Sequence, residues 1–232
     1  MKSGAVIKRG GTDTERLYLE SLDFKMPTGE NVQVTKTASD VPGYNMKEHI
    51  ARHTGRYALL NLYGKPGNTV LDFPCGSGYA SKIAKNLELN YEGKEFDRVT
   101  VEYARRLYGA EHITFNEGDF TKPNLSEKSF DIIACIEGLE HMEQKYQLPL
   151  IQSFYKSLKK DGVLIVSSPE NPTGKSGPSI TNKDHIWELT RIDFSKLLSK
   201  VFGEKNVELL SYKARLSTGV ISTCFYGVCH KN

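Results

Sequence analysis

The chain has 232 residues, of which 38% are hydrophobic and 25% are charged, and its formal net charge is +3. This composition is typical of a soluble globular protein, and the charge is too small to indicate nucleic-acid binding by itself. No apolar run approaches the length of a membrane span, and the first residues lack the apolar segment of a signal peptide. We therefore expect a cytoplasmic protein whose cysteines, none of them in a C-x-x-C pair, stay reduced.

Residues 1–45 contain few periodic apolar positions and carry six basic and six acidic side chains. We predict an N-terminal extension here, either loosely attached or folded as a small hairpin arm around residues 32–34. Such an arm could cover an active site or contribute to a homodimer. A turn at residues 42–43 then leads into a segment with helical spacing and the pattern E-H-x-x-R, which begins at Glu48.

Residues 68–79, NTVLDFPCGSGY, are the stretch around which the rest of the chain is organised. A short apolar run suits a buried strand, the acid Asp72 ends it, and Gly76 and Gly78 precede helical spacing at residues 81–89. Glycines let a backbone pass close to a ligand, and a helix N-terminus supplies unpaired N–H groups. An acid here fits a cationic ligand better than a pyrophosphate, so the stretch predicts a positively charged nucleoside-type cofactor.

Strand-like and helical segments alternate along the remaining chain. Residues 91–96 and 113–115 have strand-like patterns, and residues 132–136 form a continuous apolar run typical of a strand buried on both faces. A helix is predicted at residues 144–158 and a strand at residues 162–167, and the tail supplies two strands without a long helix between them. The alternation predicts a doubly wound α/β fold whose seven-stranded, mostly parallel sheet ends in an antiparallel C-terminal hairpin.

These stretches resemble the ordered motifs of class I S-adenosylmethionine-dependent methyltransferases, including D-x-G-x-G-x-G. The matching residues are Asp72, Gly76, Gly78, Gly93, Glu95, Gly118 and Asp119. Pro74 departs from the pattern at its first glycine. The resemblance implies a methyltransferase domain over residues 46–232 that binds S-adenosylmethionine. The cofactor-binding residues would be Asp72, Pro74, Gly76, Gly78, Glu95, Phe96, Asp119, Phe120 and Ile136.

Two acids carry the specific cofactor contacts that the resemblance implies. Glu95 falls at the carboxyl end of a predicted strand and would accept both ribose hydroxyls, as acids do in other nucleotide-binding α/β folds. Asp119 would accept a hydrogen bond from the adenine amino group, and Phe120 would cover the face of that ring.

Glu137, Glu140 and His141 form the stretch richest in chemistry, E-x-x-E-H. If the preceding strand runs directly into a helix, these positions share one helix face, where two carboxylates and an imidazole can hold a divalent metal. His185 could complete the set from a later loop, and such oxygen and nitrogen ligands favour Mg²⁺ or Mn²⁺. Acids near a helix N-terminus also interact favourably with its dipole, so an ordinary polar cleft is the alternative. We take His141, His185 and Glu137 as catalytic candidates, with a histidine as general base if no metal is bound.

The acceptor is predicted from the segments around these motifs. The E-H-x-x-R segment resembles bacterial methyltransferases that modify cell-surface glycans, and positive residues are dispersed rather than clustered with aromatics as in RNA binders. We therefore expect O-methylation of a hydroxyl on a sugar, glycan or similar polar metabolite, with residues 169–183 as a candidate lid. One alternative is a metal-dependent small-RNA 2′-O-methyltransferase, whose H-x-F-E-W-T-R motif resembles residues 185–191. The other is a cofactor-binding subunit without catalysis.

Overall fold

The structure is a computed structural model that describes residues 6–12, 16–40, 42–215 and 221–232. The strands are β1 Ile7–Gly10, β2 Leu22–Lys25, β3 Asn31–Thr35, β4 Thr69–Asp72, β5 Asn90–Glu95, β6 Ile113–Glu117, β7 Phe130–Cys135, β8 Leu158–Pro169, β9 Val207–Arg215 and β10 Ile221–His230. The α-helices are α1 Met46–Gly55, α2 Leu60–Tyr63, α3 Ser81–Asn86, α4 Arg98–Tyr108, α5 Gln144–Ser157 and α6 Arg191–Phe202. Short 3₁₀ turns occupy Leu139–His141 and Glu204–Asn206.

The main sheet has seven strands in the order β6-β5-β4-β7-β8-β10-β9. Neighbouring strands from β6 to β8 are parallel, whereas β10 is antiparallel to both β8 and β9. This confirms the predicted fold class, including the C-terminal hairpin. The chain order reverses between β4 and β7, and in open α/β sheets the crevice at the carboxyl ends of such neighbouring strands is where ligands bind.

Strand residues alternate between two apolar layers, one on each face of the sheet. Ile132 of β7 packs in the layer that α3 and α4 cover, and Ile133 packs in the layer that α5 and α6 cover. Both side chains are buried, and so are Val70 and Leu71 of β4. The continuous apolar run in β7 therefore follows from burial on both faces. Within the described ranges, no helix has both the length and the apolar character needed to cross a membrane.

The N-terminal residues form a separate three-stranded sheet, β1-β3-β2, that is packed against α4. Tyr18 is buried, its ring meets that of Tyr103 edge-on at a centroid distance of 5.1 Å, and its hydroxyl lies 2.7 Å from Thr100 Oγ1. Arg9 donates to Asp97, and Asp97 in turn caps the N-terminus of α4. Strands β2 and β3 form a hairpin that contains residues 32–34. Because Tyr18 and Arg9 bind residues at α4, the N-terminal residues are packed against the main domain rather than loosely attached to it.

The helix that follows the glycine turn is shorter than its sequence pattern predicts. It ends at Asn86 rather than at residue 89. Glu88 adopts a left-handed conformation with φ 55°, and this turn directs Leu89 into the core. The strand predicted at residues 162–167 is longer, since β8 begins at Leu158, directly after α5.

Two glycines of the turn after β4 have different environments and allow a matched stability test. Gly78 has φ 84°, and an added Cβ would lie 2.7 Å from the Phe115 ring and 2.8 Å from Ala104 Cβ. Gly76 has φ 53°, but an added Cβ would meet no atom within 4 Å.

We expect Gly78→Ala to lower the free energy of unfolding by about 2–4 kcal/mol, because left-handed strain and overpacking add. Gly76→Ala, which incurs the backbone strain alone, should lower it by about 1 kcal/mol. Urea denaturation of the two variants beside the parent protein measures both values. Equal losses in the two variants would contradict the packing described around Gly78.

Candidate active site

Asp72, the last residue of β4, lies wholly buried beneath the glycine turn. Its carboxylate accepts hydrogen bonds from the hydroxyls of Tyr91, at 2.6 Å, and Tyr57, at 3.2 Å. Burial raises the pKa of Asp72 to about 7, although the two tyrosine hydrogen bonds act in the opposite direction. Through these two hydrogen bonds, Asp72 connects β4 with β5, which carries Tyr91, and with the segment after α1, which carries Tyr57.

The glycine turn leaves its backbone accessible at the carboxyl edge of the sheet. The space beside Gly76 is open, so a ligand can approach that backbone closely. Pro74, which stands where the family pattern has glycine, follows Phe73 through a cis peptide bond. An added Cβ on Gly138 would lie 2.5 Å from Pro74 Cδ, so the proline packs directly against the chain that leaves β7.

Glu95 ends β5 and is buried, with 4% of its surface exposed. Its Oε1 accepts from Arg16 Nη2 at 2.9 Å and from the Asp97 backbone N–H at 3.1 Å. These contacts use one carboxylate oxygen, and the other has no hydrogen-bond partner recorded among the described residues. The arginine comes from the N-terminal segment, and nothing in the local sequence pattern pointed to it.

The remaining predicted cofactor residues lie along the same edge. Phe96 follows Glu95 and is 67% exposed, which is unusual for a large apolar side chain. Asp119 Oδ1 accepts from the hydroxyl and the backbone N–H of Thr121, and the first of these bonds is the larger cause of its lowered pKa. Phe120 meets the Phe73 ring edge-on at 6.2 Å. Ile136 is buried just beyond β7.

This arrangement fits S-adenosylmethionine. In the predicted assignment Glu95 would accept from the ribose hydroxyls and Phe120 would cover the adenine ring, and the exposed ring of Phe96 directly follows Glu95. No atom of the described residues lies within 4 Å of the position that a Cβ on Gly76 would occupy, so a ligand has room to approach the backbone there. Gly76, Glu95 and Phe96 lie at or just beyond the carboxyl ends of β4 and β5, which are neighbours in the sheet.

A second cluster lies in the turn after β7, where Glu140, His141 and His185 each bring one ligand atom within 4.8 Å of the others. Glu140 is completely buried, and neither carboxylate oxygen has a hydrogen-bond partner among the described residues. Burial, and next the nearby charge of Glu137, raise its pKa well above the usual value, whereas its own backbone N–H, the charge of Arg56 and the Ser168 hydroxyl act in the opposite direction. Such a buried carboxylate is costly unless it is protonated or meets a cation.

Hydrogen bonds fix the orientation of both imidazoles. His141 Nδ1 lies 3.0 Å from the backbone oxygen of Asp184, and His185 Nδ1 lies 2.7 Å from Glu188 Oε1. Since both partners are acceptors, we assign the proton to Nδ1 in each ring, and each ring contributes one nitrogen to the cluster. The rings are perpendicular, with centroids 5.0 Å apart.

Glu137 differs from its predicted placement on one helix face with Glu140 and His141. It has a left-handed φ of 51°, and the chain forms only a short 3₁₀ turn afterwards, so the expected helix spacing is wrong. Its carboxylate pairs with Arg56 Nη2 at 3.2 Å and accepts from Ser167 Oγ at 2.8 Å. Glu137 is therefore held by an arginine beside the cluster.

The loop that carries His185 folds back over the end of β7, as the sequence hypothesis required. The backbone oxygen of Glu140 accepts from the N–H groups of Ile186, at 2.7 Å, and Trp187, at 3.0 Å. Glu188 is buried and pairs with Gly177 of the predicted lid segment through two backbone hydrogen bonds. Its role in orienting His185 was not predicted, although the H-x-x-E spacing was visible in the sequence.

Comparison with known proteins agrees with this geometry. Residues 70–162 match the family model described as a methyltransferase domain. A solved structure of the YcgJ protein from Bacillus subtilis, at 12% identity, covers 78% of this chain and is itself covered to 99%, with a TM-score of 0.61. The [4+2]-cyclase SpnF, at 14% identity, covers 83% of this chain and is covered to 86%, with a TM-score of 0.64. The fold is that of class I methyltransferases.

The curated relatives match this chain over a smaller share of their own length than the solved structures do. The mitochondrial ubiquinone biosynthesis O-methyltransferase of Saccharomyces cerevisiae is 26% identical over 66% of this chain and 53% of its own. The small RNA 2′-O-methyltransferase of Arabidopsis thaliana is 24% identical over 67% of this chain and 19% of its own. The chain thus spans about half the length of the first relative and less of the second. Its residues 70–162 match a methyltransferase domain on a class I methyltransferase fold, and that family and fold imply S-adenosylmethionine as the cofactor.

We expect Glu95→Ala to weaken binding of S-adenosylhomocysteine by about 1.5–3 kcal/mol, or roughly 10- to 150-fold, because buried ribose hydroxyls would lose their acceptor. Glu92→Ala, in the same strand but three residues earlier, is the matched control and should bind within about twofold of the parent. Isothermal calorimetry measures both. Unchanged affinity in Glu95→Ala would remove this residue from the site.

Proposed function

We propose that the protein is an S-adenosylmethionine-dependent O-methyltransferase that acts on a hydroxyl of a sugar, glycan or similar polar metabolite. The supporting observation is the Glu140–His141–His185 cluster, which follows β7 and so stands at the sheet edge that also carries the cofactor residues. We further propose that the cluster holds a divalent metal, with Mg²⁺ or Mn²⁺ as the first candidates. Two imidazoles also leave Zn²⁺ or Fe²⁺ open.

The residues divide the work of such a reaction between them. S-adenosylmethionine supplies a methyl group that is already activated on a sulfonium, so the protein mainly aligns the acceptor oxygen with it. Glu140 offers two unpaired oxygens, and His141 and His185 offer one ring nitrogen each. Glu188 keeps the His185 ring in position. A bound divalent ion would lower the pKa of the acceptor hydroxyl and orient it.

Without a metal, the same side chains permit a different mechanism. His141 or His185 would then remove the hydroxyl proton as general base, since neutral imidazole nitrogens can face the crevice. Glu137 would act through Arg56 and Ser167, which it binds, rather than on the acceptor itself. The two mechanisms differ in their response to a chelator.

The choice of oxygen as the methylated atom has support from the relatives. The yeast and Arabidopsis proteins carry names that specify O-methylation. A sugar or similar metabolite ranks first because positive residues are dispersed over the chain and the E-H-x-x-R segment resembles glycan-modifying enzymes.

An RNA 2′-hydroxyl is the second candidate. It is favoured by the close approach of the E-x-x-E-H and H-x-x-E motifs, because the small-RNA enzymes carry similar motifs. A cofactor-binding protein without methyl transfer is the third candidate, since one structural neighbour with this fold is named a cyclase.

Chelation tests the metal. Excess EDTA should reduce methyl transfer by about 100-fold or more, added Mg²⁺ or Mn²⁺ should restore it, and the affinity for S-adenosylhomocysteine should stay within about twofold. Glu140→Gln should show the same loss without EDTA. Glu143→Gln, an exposed neighbour paired with Lys145, is the control and should keep its activity. Full activity in EDTA, with no metal found by elemental analysis, would leave a histidine base as the mechanism.

Product analysis tests the acceptor. The protein is incubated with S-adenosylmethionine and either a panel of sugars and polar diols or an RNA oligonucleotide, and the methylated product is identified by mass spectrometry. We expect methyl groups on hydroxyl oxygens of the small acceptors. Methylation of the RNA 3′ end, with none on the small acceptors, would reverse the ranking, and cofactor binding without any product would favour the third candidate.

A further inference from the structure

We propose that the cavity between helix α1 and the β9–β10 hairpin binds the body of the acceptor, and that Arg52 recognises an anionic group, a carboxylate or phosphate, on it. This inference rests on the proposed methyl transfer to a hydroxyl and adds the chemical class of the molecule that carries the hydroxyl. The predicted acceptor is thus a ring-bearing, hydroxylated anion.

The cavity has the size and shape of a small-molecule site. Its volume is 420 Å³, and ligand pockets in proteins typically measure about 300–1,000 Å³. Its principal lining residues are Arg52, Arg56, Leu59, Leu210, Tyr212 and Tyr226. Apolar and tyrosine side chains form the walls, and the polar groups are two guanidinium groups, the Glu48 carboxylate and the Ser211 hydroxyl. This combination suits a flat ring with a charged substituent.

The inner end of the cavity adjoins the reaction crevice. Arg56 lines the cavity and also pairs with Glu137 at 3.2 Å. Tyr226 lines it too and is in register with Ser167, whose hydroxyl donates to Glu137 at 2.8 Å. Glu137 is the first residue of the E-x-x-E-H motif, so Arg56 connects the cavity lining to the chain segment that carries the Glu140 cluster. An acceptor that reaches the cluster with its hydroxyl can extend past Glu137 into the cavity.

The walls leave apolar surface in contact with solvent. Leu210 is 38% exposed and Tyr212 is 48% exposed, both on β9. Aromatic side chains commonly present such faces to rings that stack on them. A ring seated in the cavity would cover these side chains, which gives the body of the acceptor its favourable contact.

The positive charge of Arg52 is not matched by an ion pair among the described residues. Its Nη2 lies 3.2 Å from His49 Nδ1, and that nitrogen also lies 2.6 Å from the Tyr44 hydroxyl. Burial, and next the charges of Arg52 and Arg56, lower the pKa of His49 to about 4, so this imidazole is neutral near pH 7. Glu48 also lines the cavity, one helical turn before Arg52 on α1, without an ion pair between them in the described part of the chain.

Arg56 differs from Arg52 because its charge is matched. It pairs with Glu137, and that carboxylate is the leading favourable influence on its raised pKa. The cation left to recognise an incoming anion is therefore Arg52. Charge-assisted hydrogen bonds between a guanidinium and a carboxylate or phosphate are roughly twice as strong as neutral ones, so this contact can decide which acceptor binds.

The test compares acceptor probes that differ only in the anionic group. One pair is catechol and 3,4-dihydroxybenzoate, and the other is adenosine and adenosine 5′-monophosphate. Calorimetry is run on the full chain saturated with S-adenosylhomocysteine, so that the nucleosides cannot occupy the cofactor site. We expect the anionic member of at least one pair to bind about tenfold or more tightly than its neutral partner.

The variants assign this preference to Arg52. Arg52→Ala should reduce it to within about twofold, and Arg52→Lys should retain part of it, because a lysine keeps the charge but not the paired donors. Lys200→Ala removes a positive charge from the exposed side of α6 and should leave the preference intact. Unchanged affinity for S-adenosylhomocysteine in all three variants shows that the fold is retained.

The outcomes separate the possible sources and the two proposals. A preference in the benzoate pair alone indicates an aromatic acid, and one in the adenosine pair alone indicates a nucleotide phosphate. Equal binding within both pairs, or a preference that survives in Arg52→Ala, would overturn the inference. Binding is measured without methyl transfer. If the protein binds the anionic probes more tightly but methylates no acceptor, the result contradicts the proposed function and supports the anion site.

Discussion

The buried carboxylate of Glu140 is the constraint on which the rest of the site depends. Placing a carboxylate out of water without a hydrogen-bond partner is costly, and both of its oxygens are in that position. The backbone oxygen of the same residue accepts from Ile186 and Trp187, so the loop that carries His185 is tied to it. The chain therefore holds a buried carboxyl group and two oriented imidazoles together, an arrangement that a divalent cation would complete.

Parallel topology explains why the cofactor residues and this cluster share one crevice. Asp72, Glu95 and Glu137 lie at or just beyond the carboxyl ends of β4, β5 and β7, which are neighbours in the sheet. Asp72 accepts from tyrosines on both sides and fixes the base of the crevice. The N-terminal sheet closes one side through the Arg16–Glu95 contact, and α1 closes another through the Arg56–Glu137 pair.

The parts of this account that sequence could predict are those with local patterns. Apolar runs located β4 and β7, and an acid at the end of a predicted strand located Glu95. The ionic partners of these acids could not be predicted, because Arg16 and Arg56 come from segments distant in the chain and no local pattern pairs them with Glu95 or Glu137. Glu137 was misplaced for a different reason. A left-handed residue that is not glycine gives no sign in the sequence, and it replaces the expected helix with a short turn.

The most direct measurement is the binding of a divalent ion to the metal-free protein. Calorimetry with Mn²⁺ and with Mg²⁺ measures the affinity and the number of ions bound per chain, and the paramagnetic signal of bound Mn²⁺ confirms the binding. The account predicts one ion per chain in the parent protein and none at the same concentration in Glu140→Gln, with the affinity for S-adenosylhomocysteine unchanged. Binding that Glu140→Gln retains, or no binding by the parent protein, would contradict the claim that this buried carboxylate forms a metal site.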